Sequence, residues 1–203
     1  LPPAGSSIIS GPITIDSFSI FIRWLVFATG GLLVLVLSGD RFQSATTYGS
    51  GRSHNGTCEE AGTFLILLAG LSLVGLSNDL ALMFIGLELV SIPTYILLAL
   101  KRTDARGQEA SLKYFFLSLV ASALFLYSLV CFYGIGGSTN LLAIGTAMRS
   151  SNLELVNMVA VLLPVAVGMA LAGVAFRMAA TPMHFYAPDV YEGTSPGNAA
   201  VLS

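Results

Sequence analysis

The amino-acid sequence predicts an all-α fold, a polytopic bundle of transmembrane helices, and three observations point there. Hydrophobic residues make up 55% of the 203 positions and charged residues 10%, whereas soluble domains average about 45–50% and about 25%. Apolar runs near the ~20 residues needed to cross about 30 Å of hydrocarbon recur along the chain. Prolines at 182 and 188 then interrupt the last helical pattern, because proline lacks the backbone N–H and clashes with the preceding turn. A discontinuous helix is therefore expected near Pro182.

The first span is 18–38, where Arg23 lies close enough to an end to snorkel to the interface. Residues 61–100 form an apolar stretch twice the length of one span. The turn formers Ser77-Asn78-Asp79 divide it into spans 61–77 and 80–100, an antiparallel hairpin. A fourth span covers 111–133 with Lys113 in its opening turn, and a fifth covers 155–180 with Arg177 near its end. Residues 181–203 are read as a broken-helix and loop segment. No repeat or low-complexity tract occurs, so 1–203 reads as one membrane domain. The chain opens Leu1-Pro2-Pro3 without an initiator Met or a basic leader and closes in mid-pattern at Val201-Leu202-Ser203. No signal peptide is expected, and the domain reads as a fragment of a longer protein.

The formal net charge is -2 and no Lys/Arg cluster resembles the footprint of a nucleic-acid binder, so nucleic acid is not an expected partner; the lipid bilayer is. Cys58 and Cys131 match neither a disulfide framework nor a metal-ligand spacing. His54 reads as a solvated loop residue, and Asn55-Gly56-Thr57 as a chance match to a glycosylation acceptor on the inner side. Basic residues set the orientation. Arg41, Arg52, Lys101, Arg102 and Arg106 fall in connections on one side of the membrane, and the other side offers Arg149. The positive-inside rule makes the Lys101–Arg106 side cytoplasmic, or the matrix or stromal side of an organelle.

Glu88 lies within Phe84-Ile-Gly-Leu-Glu-Leu-Val-Ser-Ile-Pro-Thr-Tyr95, about 12 Å from the turn and roughly 18 Å from the far end of its helix. A charge at the centre of a membrane helix costs roughly 2.5–3.5 kcal/mol, so such residues face partners or hydrated cavities and mark ion pathways. The alternative is a neutral or purely structural carboxyl. Pro93 adds a distortion that frees a backbone carbonyl. Lys113 and Arg177 each fit two readings, interfacial anchor or functional charge. Lys113 is on the span after Glu88, so the two can approach within the bundle. His184, between two prolines, reads as either a structural hydrogen-bonding residue or a proton carrier.

Four motifs in register resemble one family: Asn78-Asp79-Leu80, Gly86-Leu-Glu-Leu-Val-Ser-Ile-Pro-Thr-Tyr95, Leu112-Lys-Tyr-Phe115 and Pro182-Met-His-Phe-Tyr-Ala-Pro-Asp-Val-Tyr-Glu-Gly193. Together they resemble the N subunits of proton-pumping NADH:quinone oxidoreductases, the respiratory complex I family. The resemblance covers nearly the whole chain, whose spans correspond to the third to seventh helices of an antiporter-like fold. That fold has fourteen helices and two inverted five-helix repeats, each with a discontinuous helix.

The resemblance implies a proton-translocating subunit that partners other membrane subunits, most simply in a bacterial inner membrane or else in an organelle energy-transducing membrane. It implies no cofactor in this chain; NAD, FMN, iron–sulfur clusters and quinone belong to partner subunits. Glu88 takes the place of a glutamate that pairs with a lysine, and Lys113 that of a sixth-helix lysine. Arg177 stands where the family has a seventh-helix lysine, a departure that matters because a guanidinium does not readily release its proton. With His184, these residues form the expected proton pathway. Two further readings stand beside this one: a multisubunit cation/proton antiporter or a related ferredoxin- or hydrogenase-linked complex, and a structural scaffold between pumping subunits. Ala187-Pro-Asp-Val-Tyr191 favours the N type, because the antiporter relatives tend to carry Leu-Pro-x-Ala-Met there.

Overall fold

The computed structural model describes residues 8–47, 55–101, 105–149, 153–181, 183–193 and 199. Pro182, Arg52, His54 and Arg102 lie outside the described residues. Among the described residues, seven α-helices follow a short β-hairpin: β1 (Ile8–Ser10), β2 (Ile13–Ile15), α1 (Ser17–Thr47), α2 (Asn55–Leu76), α3 (Leu80–Lys101), α4 (Ala105–Gly136), α5 (Leu141–Met148), α6 (Leu153–Arg177) and α7 (Ala187–Gly193). A 3₁₀ turn, Met183–Tyr186, precedes α7. Among the described residues, five segments are long and apolar enough to cross a membrane: Ser17–Leu35, Glu59–Leu76, Leu80–Ala99, Gly107–Gly136 and Met158–Arg177. Phe18, Trp24, Leu32, Leu65, Phe116 and Val161 are exposed on these helices, as expected of side chains that face lipid or neighbouring helices. The chain is an integral membrane protein.

The bundle is built on two tight helix pairs, α2 with α3 and α4 with α6. Lipid tails are as apolar as leucine, so helices in a membrane gain by close packing over small residues. A Cβ at Gly70 would lie 2.8 Å from the Leu89 backbone carbon, and one at Gly86 would lie 2.8 Å from Val74 Cγ2. At Gly173 on α6 a Cβ would meet Phe125 Cβ at 2.8 Å and the Ala121 carbonyl oxygen at 3.0 Å. Arg177 lies four residues beyond Gly173, so the same α6 face turns towards α4 one turn later.

One end of the bundle is tied by loops. The hairpin turns at Gly11, whose φ of 73° suits a residue without Cβ. It is held to the α2–α3 turn by the bridge Ile13–Ser77 and by Asn78 N–H donating to the Pro12 carbonyl at 2.8 Å. Asp79 caps α3, its Oδ1 accepting from Ala81 N at 2.9 Å and Leu82 N at 3.2 Å, while Thr139 from the α4–α5 loop donates to its Oδ2. The Thr139 bond holds the Asp79 carboxyl below its usual pKa, with help from the two cap N–H groups and against a smaller opposing effect of burial. Asp16 caps α1 reciprocally with Ser19, Ser19 N–H donating to Asp16 Oδ1 at 2.7 Å and Asp16 N–H to Ser19 Oγ at 3.0 Å.

Both the hairpin and α5 are additions to the sequence-based picture. The other differences concern helix ends. The helix carrying Lys113 begins at Ala105, which puts Lys113 in its third turn, and α6 stops at Arg177, five residues before Pro182.

Candidate functional site: a buried carboxylate–guanidinium cluster

α6 ends inside the bundle with a recognisable stop. Ala180 N–H donates to the Ala175 carbonyl at 2.8 Å and Ala179 N–H to the Phe176 carbonyl at 3.1 Å, with Ala179 in the left-handed region at φ 47°. These are the paired bonds of a Schellman motif, normally completed by glycine. The chain then folds back: Tyr186 donates from its hydroxyl to the Phe176 carbonyl at 2.6 Å, and its ring packs 4.4 Å from that of Phe176. Burial raises the pKa of the Tyr186 phenol, with smaller contributions from Tyr114 and Tyr191. Tyr186, Ala187 and Val190 join Leu98, Tyr114, Ala121 and Phe176 in one core.

The stop leaves Arg177 as the last helical residue, and its guanidinium reaches α3 and α4. Nη2 lies 3.2 Å from Glu88 Oε1 and 3.1 Å from Ser122 Oγ, and Nη1 donates to the Leu87 carbonyl at 3.1 Å and to Ser91 Oγ. Ser122 Oγ donates to Glu88 Oε1 at 2.6 Å. The Arg177 and Glu88 side chains are 16% and 29% exposed, so the pair is largely removed from solvent. Four acceptors on two helices converge on one planar fork, which a guanidinium satisfies and an ammonium does not match in geometry. Arg177 Nε is buried without a hydrogen-bond partner among the described residues. Beyond the fork, Thr94 Oγ1 donates to the Ser91 carbonyl at 2.6 Å and lies 3.3 Å from the Tyr114 hydroxyl.

Of the four residues expected to form the pathway, the structure joins Glu88 and Arg177 and leaves the other two elsewhere. Lys113 does not pair with Glu88. Its Nζ lies 2.9 Å from Glu109 Oε1 and 3.1 Å from Asp189 Oδ2, with the side chain 48% exposed. The reason is register: Lys113 is nine residues, or about 13 Å along the helix, before Ser122, the α4 residue level with Glu88. It ties α4 to α7 instead. His184 is exposed in the 3₁₀ turn. Ser91, Ser122 and Asp189 were not among the expected residues. The available signal for Ser122 was a small hydroxyl in the middle of an apolar span, a position where polar side chains bond across helices.

Long apolar helices, one of them stopping inside the bundle, and an ion pair held between helices define an antiporter-like membrane subunit. Residues 77–203 match the family described as NADH:quinone oxidoreductase/Mrp antiporter, transmembrane, and the chain belongs to that family. It is 32% identical over 209 residues to NADH-quinone oxidoreductase subunit N of Anaeromyxobacter sp. (strain Fw109-5), covering 100% of this chain and 38% of that protein. It is 34% identical over 192 residues to subunit N of Geobacillus kaustophilus, covering 94% of this chain and 36% of that protein. The chain thus spans well under half the length of these relatives. Among solved structures, respiratory complex I from Thermus thermophilus with bound Aureothin contains a chain matched at TM-score 0.66 and 30% identity, covering 98% of this chain and 42% of that one. The Mrp complex from Dietzia sp. shares the fold at TM-score 0.68 and 24% identity, covering 97% of this chain and 33% of the other. Subunits of this kind sit among other membrane subunits in multisubunit complexes.

Proposed function

We propose that this chain is part of a proton-translocating membrane subunit of an NADH:quinone oxidoreductase and that the Glu88–Arg177 pair lies on its proton path. The observation that carries the reading is a carboxylate and a guanidinium paired at 3.2 Å between α3 and α6, beside a helix that stops within the bundle. Such a pair is expensive to bury and is retained in membranes chiefly where charge moves or is sensed. In this reading Arg177 is a fixed charge and Glu88 the group that exchanges protons. NAD, FMN, iron–sulfur clusters and quinone are assigned to partner subunits, with electron transfer there driving charge movement here. On this reading the Lys101–Arg106 connection faces the cytoplasm of a bacterial inner membrane, a side its basic residues favour.

The test is Glu88→Gln in the full-length subunit of the assembled complex, measured as proton uptake in membrane vesicles. The amide keeps shape and hydrogen bonding but holds no exchangeable charge. Uptake is expected to fall at least tenfold with assembly intact; uptake at the parent rate overturns the reading. The Mrp likeness supports a second reading, a cation/proton antiporter subunit. It expects sodium-dependent proton movement without electron transfer in the same vesicles.

A further inference from the structure

We propose that Ser122 is a positioning residue of the Glu88–Arg177 pair, its hydroxyl holding the carboxylate in the orientation that faces the guanidinium; the inference rests on the proposed role of that pair in proton conduction. Glu88 Oε1, Ser122 Oγ and Arg177 Nη2 form a closed triangle with edges of 2.6, 3.1 and 3.2 Å. A serine hydroxyl has one proton to give and two lone pairs. Here the proton goes to the carboxylate and a lone pair accepts from the guanidinium. Each donation runs from the more positive group to the more negative one, so the bonds reinforce each other in a low-dielectric setting.

Hydroxyls in helices commonly bond to a carbonyl one turn back on their own helix. On α4, Ser111 donates to the Gly107 carbonyl and Ser128 to the Phe125 carbonyl in this way. Ser122 instead donates across the interface to α3. The close approach at Gly173 brings the α6 face bearing Arg177 against the Ala121–Phe125 segment of α4, and Ser122 lies in that segment. Without the hydroxyl, Glu88 Oε1 keeps the single long contact to Nη2, and the carboxylate is free to rotate about its terminal torsion, which is broad and roughly two-fold.

The experiment compares Ser122→Ala, Ser122→Thr, Glu88→Gln and the double variant Glu88→Gln/Ser122→Ala in the assembled complex, by rate of proton uptake. Ser122→Ala is expected to slow uptake about tenfold, the scale of one hydrogen bond to a charged group. Ser122→Thr, which restores the hydroxyl, returns it to within about twofold of the parent. The double variant is expected to be no slower than Glu88→Gln alone, because Ser122 acts through Glu88. Parent-rate uptake by Ser122→Ala beside an impaired Glu88→Gln overturns this inference and leaves the proposed function standing. Losses that multiply in the double variant, or no rescue by threonine, also overturn it. Parent-rate uptake by Glu88→Gln overturns the proposed function itself. Ser122→Cys, similar in size with a weak donor, gives a second reading if the alanine variant does not assemble, and parent-rate uptake there counts equally against the inference.

Discussion

Arg177 on α6 and Glu88 on α3 are separated in sequence by α4 and α5, yet Nη2 of one is 3.2 Å from Oε1 of the other. Glu88 is roughly 12 Å from the start of α3, and Arg177 reaches it because α6 ends where it does.

Replacing Arg177 separates charge from geometry. Arg177→Lys keeps a cation beside Glu88 but cannot satisfy Leu87, Ser91 and Ser122 together. Proton uptake is expected at the parent rate or above, with a lower melting temperature in detergent. Arg177→Met leaves the carboxylate without its counter-charge, a change that typically costs about 3 kcal/mol for a buried pair. Uptake should fall severely, and a Met variant that pumps normally would show that Arg177 is only an anchor.

Lys113 is expected to act as a strap. It is exposed and bonded to Glu109 and Asp189, so its pairing with α7 is weakened by salt. Lys113→Met should speed amide exchange across Ala187–Gly193, and Lys113→Arg should restore protection and keep proton uptake at the parent rate. Loss of uptake in the Arg variant, with α7 still protected, would instead make the lysine's releasable proton essential.

Ala179 occupies a left-handed position that glycine adopts without strain. A Cβ there costs about 1 kcal/mol. Ala179→Gly should raise the melting temperature in detergent, provided the cap survives; a lower melting temperature would show that the methyl group packs more usefully than the backbone relaxes.

Asp79 gives the loop-tied end of the bundle a pH dependence. Its folded-state pKa is depressed, so it contributes stability above the ordinary carboxylate pKa of about 4, and that contribution is lost as pH falls through the lowered folded value. Protection of the Ala81 and Leu82 amides, taken as exchange relative to the unstructured chain at the same pH, should fall on acidification. Asp79→Asn, which preserves the cap acceptor, should remove the pH response.

The helices and the α2–α3 hairpin were legible because apolar run length and turn residues act locally. Glu88 was legible because a charge in such a run is costly wherever it packs. Its partner was not. Lys113 and Arg177 were both plausible by composition, and only the stop of α6 and the tight α4–α6 approach at Gly173 decide that the arginine arrives at the level of Glu88. The cross-helix bond of Ser122 has no sequence signal beyond one hydroxyl in an apolar run. The Ile8–Ile15 hairpin carried a local sign, a Gly-Pro turn between isoleucine-rich segments, but its stability draws on the bridge to Ser77, which is a tertiary contact.

The stop at Ala179 also has an electrical consequence. Aligned peptide dipoles leave about half a negative charge at a helix C-terminus, and α6 places that pole within the helix bundle beside Arg177. Glu88 and Arg177 cancel formally, so the cluster as a whole carries a residual negative potential without a second acidic side chain. Every substitution at Glu88 or Arg177 acts against that constant background, which the backbone supplies.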